Sequence, residues 1–157
     1  MRLYVIILAF TAYLLSSLGA FAQPAIGYAE TKSLIANMTM MTYDRGHGTQ
    51  VEYLGANGKT HLLYPGNTVI VKGSWKLVKT ANPRVFDMCF RYPSNSYNPA
   101  TGQTGGAWDC RPAGFYLRDI VDRQSGDILG LAKRNDVPFV LAKRKTRLVD
   151  LVRLAGK

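Results

Sequence analysis

Metal-binding and redox side chains are scarce in this chain, which has two His and two Cys among 157 residues. His47 and His61 stand apart, with neither H-x-x-x-H nor H-E-x-x-H spacing. A zinc site needs three or four convergent ligands, so no metal is expected. There is no C-x-x-C for thiol redox work and no C-x-x-C-H for haem attachment. No G-K-[ST] phosphate loop occurs, because the glycines from Gly102 to Gly106 lead into no helix pattern. A G-x-S-x-G elbow is missing too, so a triad built from Ser74 or Ser125, His61 and Asp87 has no local support. Asp119, Asp122 and Asp127 lack the dense oxygen ligands of a calcium loop, and Arg118 and Arg123 read as their ion-pair partners. These absences point away from an enzyme, and no cofactor is expected.

Long apolar runs are also lacking, with one exception. Arg2 is followed by a mostly apolar stretch over residues 3–15, then Ser16, Ser17, Gly19 and Ala20-Phe21-Ala22. A basic residue, an apolar core and small residues two apart make a signal peptide, residues 1–22. Residues 3–22 also just reach the roughly 20 apolar positions that span a bilayer, so a retained anchor is the competing reading. Ser16, Ser17, Gly19 and the small-residue site favour cleavage. No later stretch approaches that length, which leaves 23–157 as a single domain without a transmembrane segment.

Acidic residues are few, 10 against 20 Lys+Arg. The excess is uneven. Residues 131–157 hold eight basic and two acidic residues, whereas 23–130 hold 11 and 8. Lys143, Arg144, Lys145 and Arg147 crowd one short segment beside Leu148, Leu151 and Val152. Such a cluster suits an anionic polymer or a membrane surface. Nucleic acid is electrostatically permitted, but export argues against it, and no aromatic residues interleave with these charges.

An exported chain meets oxidising conditions, and an even Cys count with none left over suits a bridge between Cys89 and Cys110.

Along the chain, residues 28–38 place Thr31, Leu34, Ile35 and Met38 on one helical face. The period then shortens to two. Strands are expected over 40–43, 49–54, 60–64, 68–71, 74–78 and 85–92, with turns at 44–48 and at Asn57-Gly58. Residues 93–107 form a long polar loop, and a strand restarts at 108–110. Runs 115–121 and 127–132 read as a hairpin, 137–141 as an edge strand with Pro138, and 146–154 as a closing helix. The fold class is mainly β: an antiparallel sheet or small barrel with short N-terminal and C-terminal helices.

Val51-Glu52-Tyr53, Asn57-Gly58-Lys59, Gly73-Ser74-Trp75 and Cys89-Phe90-Arg91, followed by Cys110, resemble a family of small exported bacterial β-rich proteins of unassigned function. Its pattern is a y-x-x-d-G turn, a G-x-W strand, a C-F-R strand and a later Cys, covering about residues 30–112 here. The resemblance implies a periplasmic or secreted location and a β-rich fold, and brings no catalytic residue. Gly73-x-Trp75 is also similar to the lipocalin signature, although there it lies on the first strand and here several strands precede it.

The expected function is therefore a non-catalytic exported β-domain that binds a cell-envelope component or a protein partner through the basic C-terminal segment. The alternative is a lipocalin-like carrier of a small apolar ligand, with Trp75 as the ligand platform. A small secreted hydrolase ranks third.

Overall fold

The computed structural model describes residues 27–83 and 85–156, so the expected signal peptide lies outside the described residues. Helix α1 (Tyr28–Ile35) leads into a meander of five strands. These are β1 (Met38–Asp44), β2 (Gly48–Leu54), β3 (Lys59–Leu63), β4 (Val71–Lys79) and β5 (Phe86–Arg91), each antiparallel to the next. The polar loop that follows carries a small hairpin, β6 (Tyr97–Asn98) and β7 (Gln103–Thr104). Strand β8 (Asp109–Pro112) then pairs with β5. Helix α2 (Ala113–Asp119) carries the chain to the opposite edge, where β9 (Ile120–Ser125) pairs with β1. The strand order is β8-β5-β4-β3-β2-β1-β9, a seven-stranded antiparallel sheet curled into a half-barrel.

Because α2 joins the two edge strands and packs on β5, β8 and β1, it spans the inner face of the curl. Successive side chains of a strand point to opposite faces, and both faces carry a packed core, the outer one over part of the sheet. On the inner face Met40, Leu54, Trp75, Leu77 and Met88 pack with Ile35 of α1 and Ala113 of α2. On the outer face Met41, Val51 and Leu63 lie beneath Leu129, Leu131, Leu141, Leu148 and Leu151 from the C-terminal stretch. That stretch ends in α3 (Leu148–Leu154).

The C-terminal cover is strapped to β2 by its backbone. Thr49 N–H donates to the Lys143 carbonyl at 3.1 Å, and Thr49 Oγ1 donates to the Arg144 carbonyl at 2.7 Å. Gly48 allows this approach, since its φ is 81° and a Cβ there would lie 2.6 Å from the Lys143 carbonyl oxygen. Cys89 and Cys110 face each other across β5 and β8 and form a disulfide, which ties the edge strand to the sheet.

The first three strands of the meander and the Asn57-Gly58 turn follow the two-residue period. Further on, the structure differs from the sequence reading in four places. Of the strands expected over 68–71 and 74–78, β4 begins only at Val71 and runs through Gly73 to Lys79, and residues 68–70 stay outside it, with Val69 in an isolated bridge. The run 115–121 is not the first arm of a hairpin: α2 ends at Asp119, and the strand β9 follows. Ala113, Tyr116, Leu117 and Ile120 pack on the inner core at i, i+3, i+4 and i+7, a helical spacing that the aromatic content masked. Nor is 127–132 a strand. The Asp127 carboxylate accepts from the N–H groups of Leu131 and Ala132, and Gly130 adopts a φ of 68°, so the chain turns there. Residues 137–141, expected as an edge strand, form none and run beside the β3–β4 connection. They are joined to it by the Val69–Asp136 bridge, by the Val137 N–H donating to the Thr68 carbonyl and by the Gly66 N–H donating to the Leu141 carbonyl. Their apolar side chains serve the outer core as a cover, which strand periodicity cannot distinguish from a strand.

Candidate functional site

The half-barrel is not filled along its whole length. Beyond the inner core, a cavity of about 820 Å³ opens on the inner face, between the sheet, α2 and the loop that carries β6 and β7. Leu62, Met88, Phe90 and Phe115 supply apolar wall beside Glu52, Tyr92 and Tyr116, and much of the remaining lining is polar, with Asp44, His47, Gln50 and Asp119 among it.

Glu52 is the unusual residue. It lies mid-strand in β2, on the inner face that Leu54 also faces, and is 7% exposed. A carboxyl taken out of water without a cation is costly unless hydrogen bonds replace the lost hydration. Here Thr60 Oγ1 and Tyr92 OH both donate to Oε1 at 2.5 Å. Neither donates to Oε2. The Tyr116 hydroxyl is buried beside the same carboxyl, close enough to favour its charged form, yet it makes no well-formed hydrogen bond. Burial outweighs the hydroxyl donors and raises the Glu52 pKa above its ordinary 4.5. The Tyr92 and Tyr116 hydroxyls are pushed well above 10.0, by burial first and by Glu52 second, so both remain proton donors.

Gly73 makes this arrangement possible. A Cβ there would lie 2.8 Å from Tyr92 Cδ1 and 2.7 Å from the Arg91 carbonyl oxygen. The bare backbone of the G-x-W strand thus lets the Tyr92 ring lie flat enough to deliver its hydroxyl to Glu52.

The candidate ligand platform Trp75 sits elsewhere. It is 5% exposed in the inner core, donates its indole N–H to the Gly55 carbonyl at 2.9 Å, and does not line the cavity. His47 stands at the cavity rim, with Nδ1 3.2 Å from Tyr64 OH. His61 projects from the outer face, stacked on Tyr53 at 6.1 Å, and burial lowers its pKa. Among the described residues no three His, Cys, Asp or Glu gather as a metal site.

The basic residues of the C-terminal segment do not converge. Lys143 and Arg144 are exposed, Lys145 Nζ lies 4.8 Å from the Tyr43 ring centroid, and Arg147 forms a fork with both carboxylate oxygens of Asp150 at 2.8 Å. That pairing raises the Arg147 pKa and lowers that of Asp150.

Sequence reading missed Glu52 because alternation with Val51 and Tyr53 placed it on a solvent face. The signal against that reading was Leu54, which shares its parity and is fully buried. Tyr92, the last aromatic of the 85–92 run, was counted as strand packing only. Comparison with protein-family models, curated protein sequences and solved structures found no match.

Proposed function

We propose that this protein is an exported, non-catalytic binding domain of the bacterial periplasm or medium that takes a small ligand into the half-barrel. The observation that carries the reading is the 820 Å³ cavity with a buried carboxyl in its wall. Ligand sites are typically concave and mostly apolar, with a few placed polar groups. Leu62, Met88, Phe90 and Phe115 suit an apolar or aromatic body. Glu52 Oε2, to which neither Thr60 nor Tyr92 donates, suits a head group that donates a hydrogen bond, such as an amine, amide or hydroxyl. The Cys89–Cys110 disulfide and the lack of a membrane-spanning helix among the described residues are compatible with export.

N-phenyl-1-naphthylamine, an apolar fluorophore with one N–H donor, tests this reading. Saturable fluorescence enhancement that Leu62→Trp abolishes supports it. Binding unchanged in Leu62→Trp contradicts it.

A hydrolase reading rests on the same carboxyl, because a raised pKa in a cleft also marks a general acid. It needs a second group to activate water. The other carboxylates of the wall are engaged: Asp44 caps Gly46 and His47, Asp109 pairs with Arg111, and Asp119 with Arg118. Electrostatic attachment through Lys143, Arg144 and Lys145 remains compatible with ligand binding, since those side chains lie away from the cavity and form no ion pair with a described residue.

A further inference from the structure

The outer face is covered by the C-terminal stretch only over β1, β2 and part of β3. The rest, over β3, β4 and β5, carries a cross of cations. Ser74 of β4 is directly opposite Lys59 of β3 on one side and Arg91 of β5 on the other. Lys72 and Lys76 flank Ser74 two residues away along β4, so all five side chains share one face. Neighbours across strands are about 5 Å apart and those two along a strand about 7 Å apart. Four basic residues therefore surround one serine in the register of the three strands.

None of the four forms an ion pair with a described residue. Instead three of them are held by neutral partners. Lys76 Nζ lies 4.3 Å and the Arg91 guanidinium carbon 4.8 Å from the Trp108 ring, and Lys72 donates to Asn135 Oδ1. Asp87 is the acidic residue that β5 contributes to this face, at its far end opposite Val78. His61, opposite Lys72, adds no acid. Like charges at this spacing repel, and neutral restraints position them without cancelling them.

A groove of about 730 Å³ runs over Lys59, Lys72, Ser74 and Arg91, and Pro93, Ser94 and Gly106 wall one side. We infer that this groove is an anion-binding site that takes a phosphate group of a linear phosphate-rich polyanion, with Ser74 as the central hydroxyl donor. A multiply charged tetrahedral oxyanion matches the three cations of the groove, Lys59, Lys72 and Arg91, better than a single carboxylate does, and Lys76 adds its charge from beyond the lining. A wall of Pro93, Ser94 and Gly106 along one side favours a narrow chain over a flat layer of lipid headgroups. The groove shares Lys72, Tyr92 and Pro93 with the lining of the inner-face cavity, but Lys59, Ser74 and Arg91 do not line that cavity, so failure of the anion site leaves the small-ligand reading standing.

The test uses tripolyphosphate and, as the second arm, phosphatidylglycerol vesicles. By calorimetry the purified protein should bind tripolyphosphate, with affinity falling about tenfold or more between low and physiological salt. Ser74→Asp places a carboxylate at the centre of the cross. It should abolish binding without lowering Tm, because the new charge is attracted by all four cations. Lys59→Gln combined with Arg91→Gln should weaken binding at least tenfold. Neutralising Lys143, Arg144 and Lys145 together should leave it within about twofold. Full affinity in both Ser74→Asp and the Lys59/Arg91 double variant would overturn the inference. So would loss of binding in the C-terminal variant alone, or vesicle binding that is insensitive to Ser74→Asp.

Discussion

The Tyr92 ring lies over the backbone of Gly73, where a Cβ would approach its Cδ1 to 2.8 Å. The residue that lacks a side chain thus sets the position of the residue that satisfies the buried acid. Gly73→Ala must move either the ring or the Arg91 carbonyl, so overpacking should destabilise the protein by about 1–3 kcal/mol. Tyr92 OH should also leave Glu52. In a denaturation cycle with Tyr92→Phe, the hydroxyl should lose most of its contribution once residue 73 is Ala.

Glu52 makes stability depend on pH in an unusual direction for a carboxylate. Its folded pKa lies above the ordinary 4.5. Between 4.5 and the folded value the native state holds the proton more tightly than the unfolded chain, so stability falls as pH rises through that window. Below 4.5 both states are protonated and the penalty vanishes. Gln at this position can still accept from Thr60 and Tyr92 and carries no charge. Glu52→Gln should therefore unfold at a higher temperature than the wild type at pH 8, and the gap should close towards pH 4. A constant gap across that range would show that burial of charge is not what distinguishes the two.

The disulfide joins β8 to the sheet and closes a loop of 21 residues in sequence separation. Chain-entropy arguments put a loop of that size at about 3 kcal/mol. Cys89→Ser with Cys110→Ser should lower stability by that order. Hydrogen exchange should rise first in β8 and at the start of α2, because these hold the free edge of the cavity.

Removing cover from the outer face should be costly where the side chain is buried and harmless where it is not. Leu151 is 3% exposed in the outer core, whereas Leu154, on the same helix, is 67% exposed. Leu151→Ala should cost about 2–5 kcal/mol. Leu154→Ala should stay within about 0.5 kcal/mol. Urea midpoints of the two variants measure the difference directly.

The β-meander was legible from residue 38 to 64 because apolar alternation and the Asn57-Gly58 turn agree there. The disulfide was legible because two cysteines leave no choice of partner. What alternation could not reveal is that both faces of β2 are buried. One polar residue in an alternating strand reads as solvent-facing, and only the arrival of α2 and Tyr92 from distant sequence encloses Glu52. The C-terminal third fails for a related reason. Leu129, Leu131 and Leu141 alternate as strands do, yet Asp127 and Gly130 turn the chain and the leucines pack as a cover. The cation cross was equally hidden. Lys59, Lys72, Lys76 and Arg91 span more than thirty positions of sequence, and only the register of three strands gathers them.

The central claim is that a small ligand enters the inner face of the half-barrel, and the methionine methyl groups report on it most directly. Met88 lines the cavity, while Met41 packs in the core of the opposite face. With ε-¹³C-methionine labelling, N-phenyl-1-naphthylamine should shift the Met88 methyl resonance saturably and leave Met41 in place. A saturable shift at Met41 with Met88 unmoved would contradict the account, as would no shift at either methyl at saturating probe.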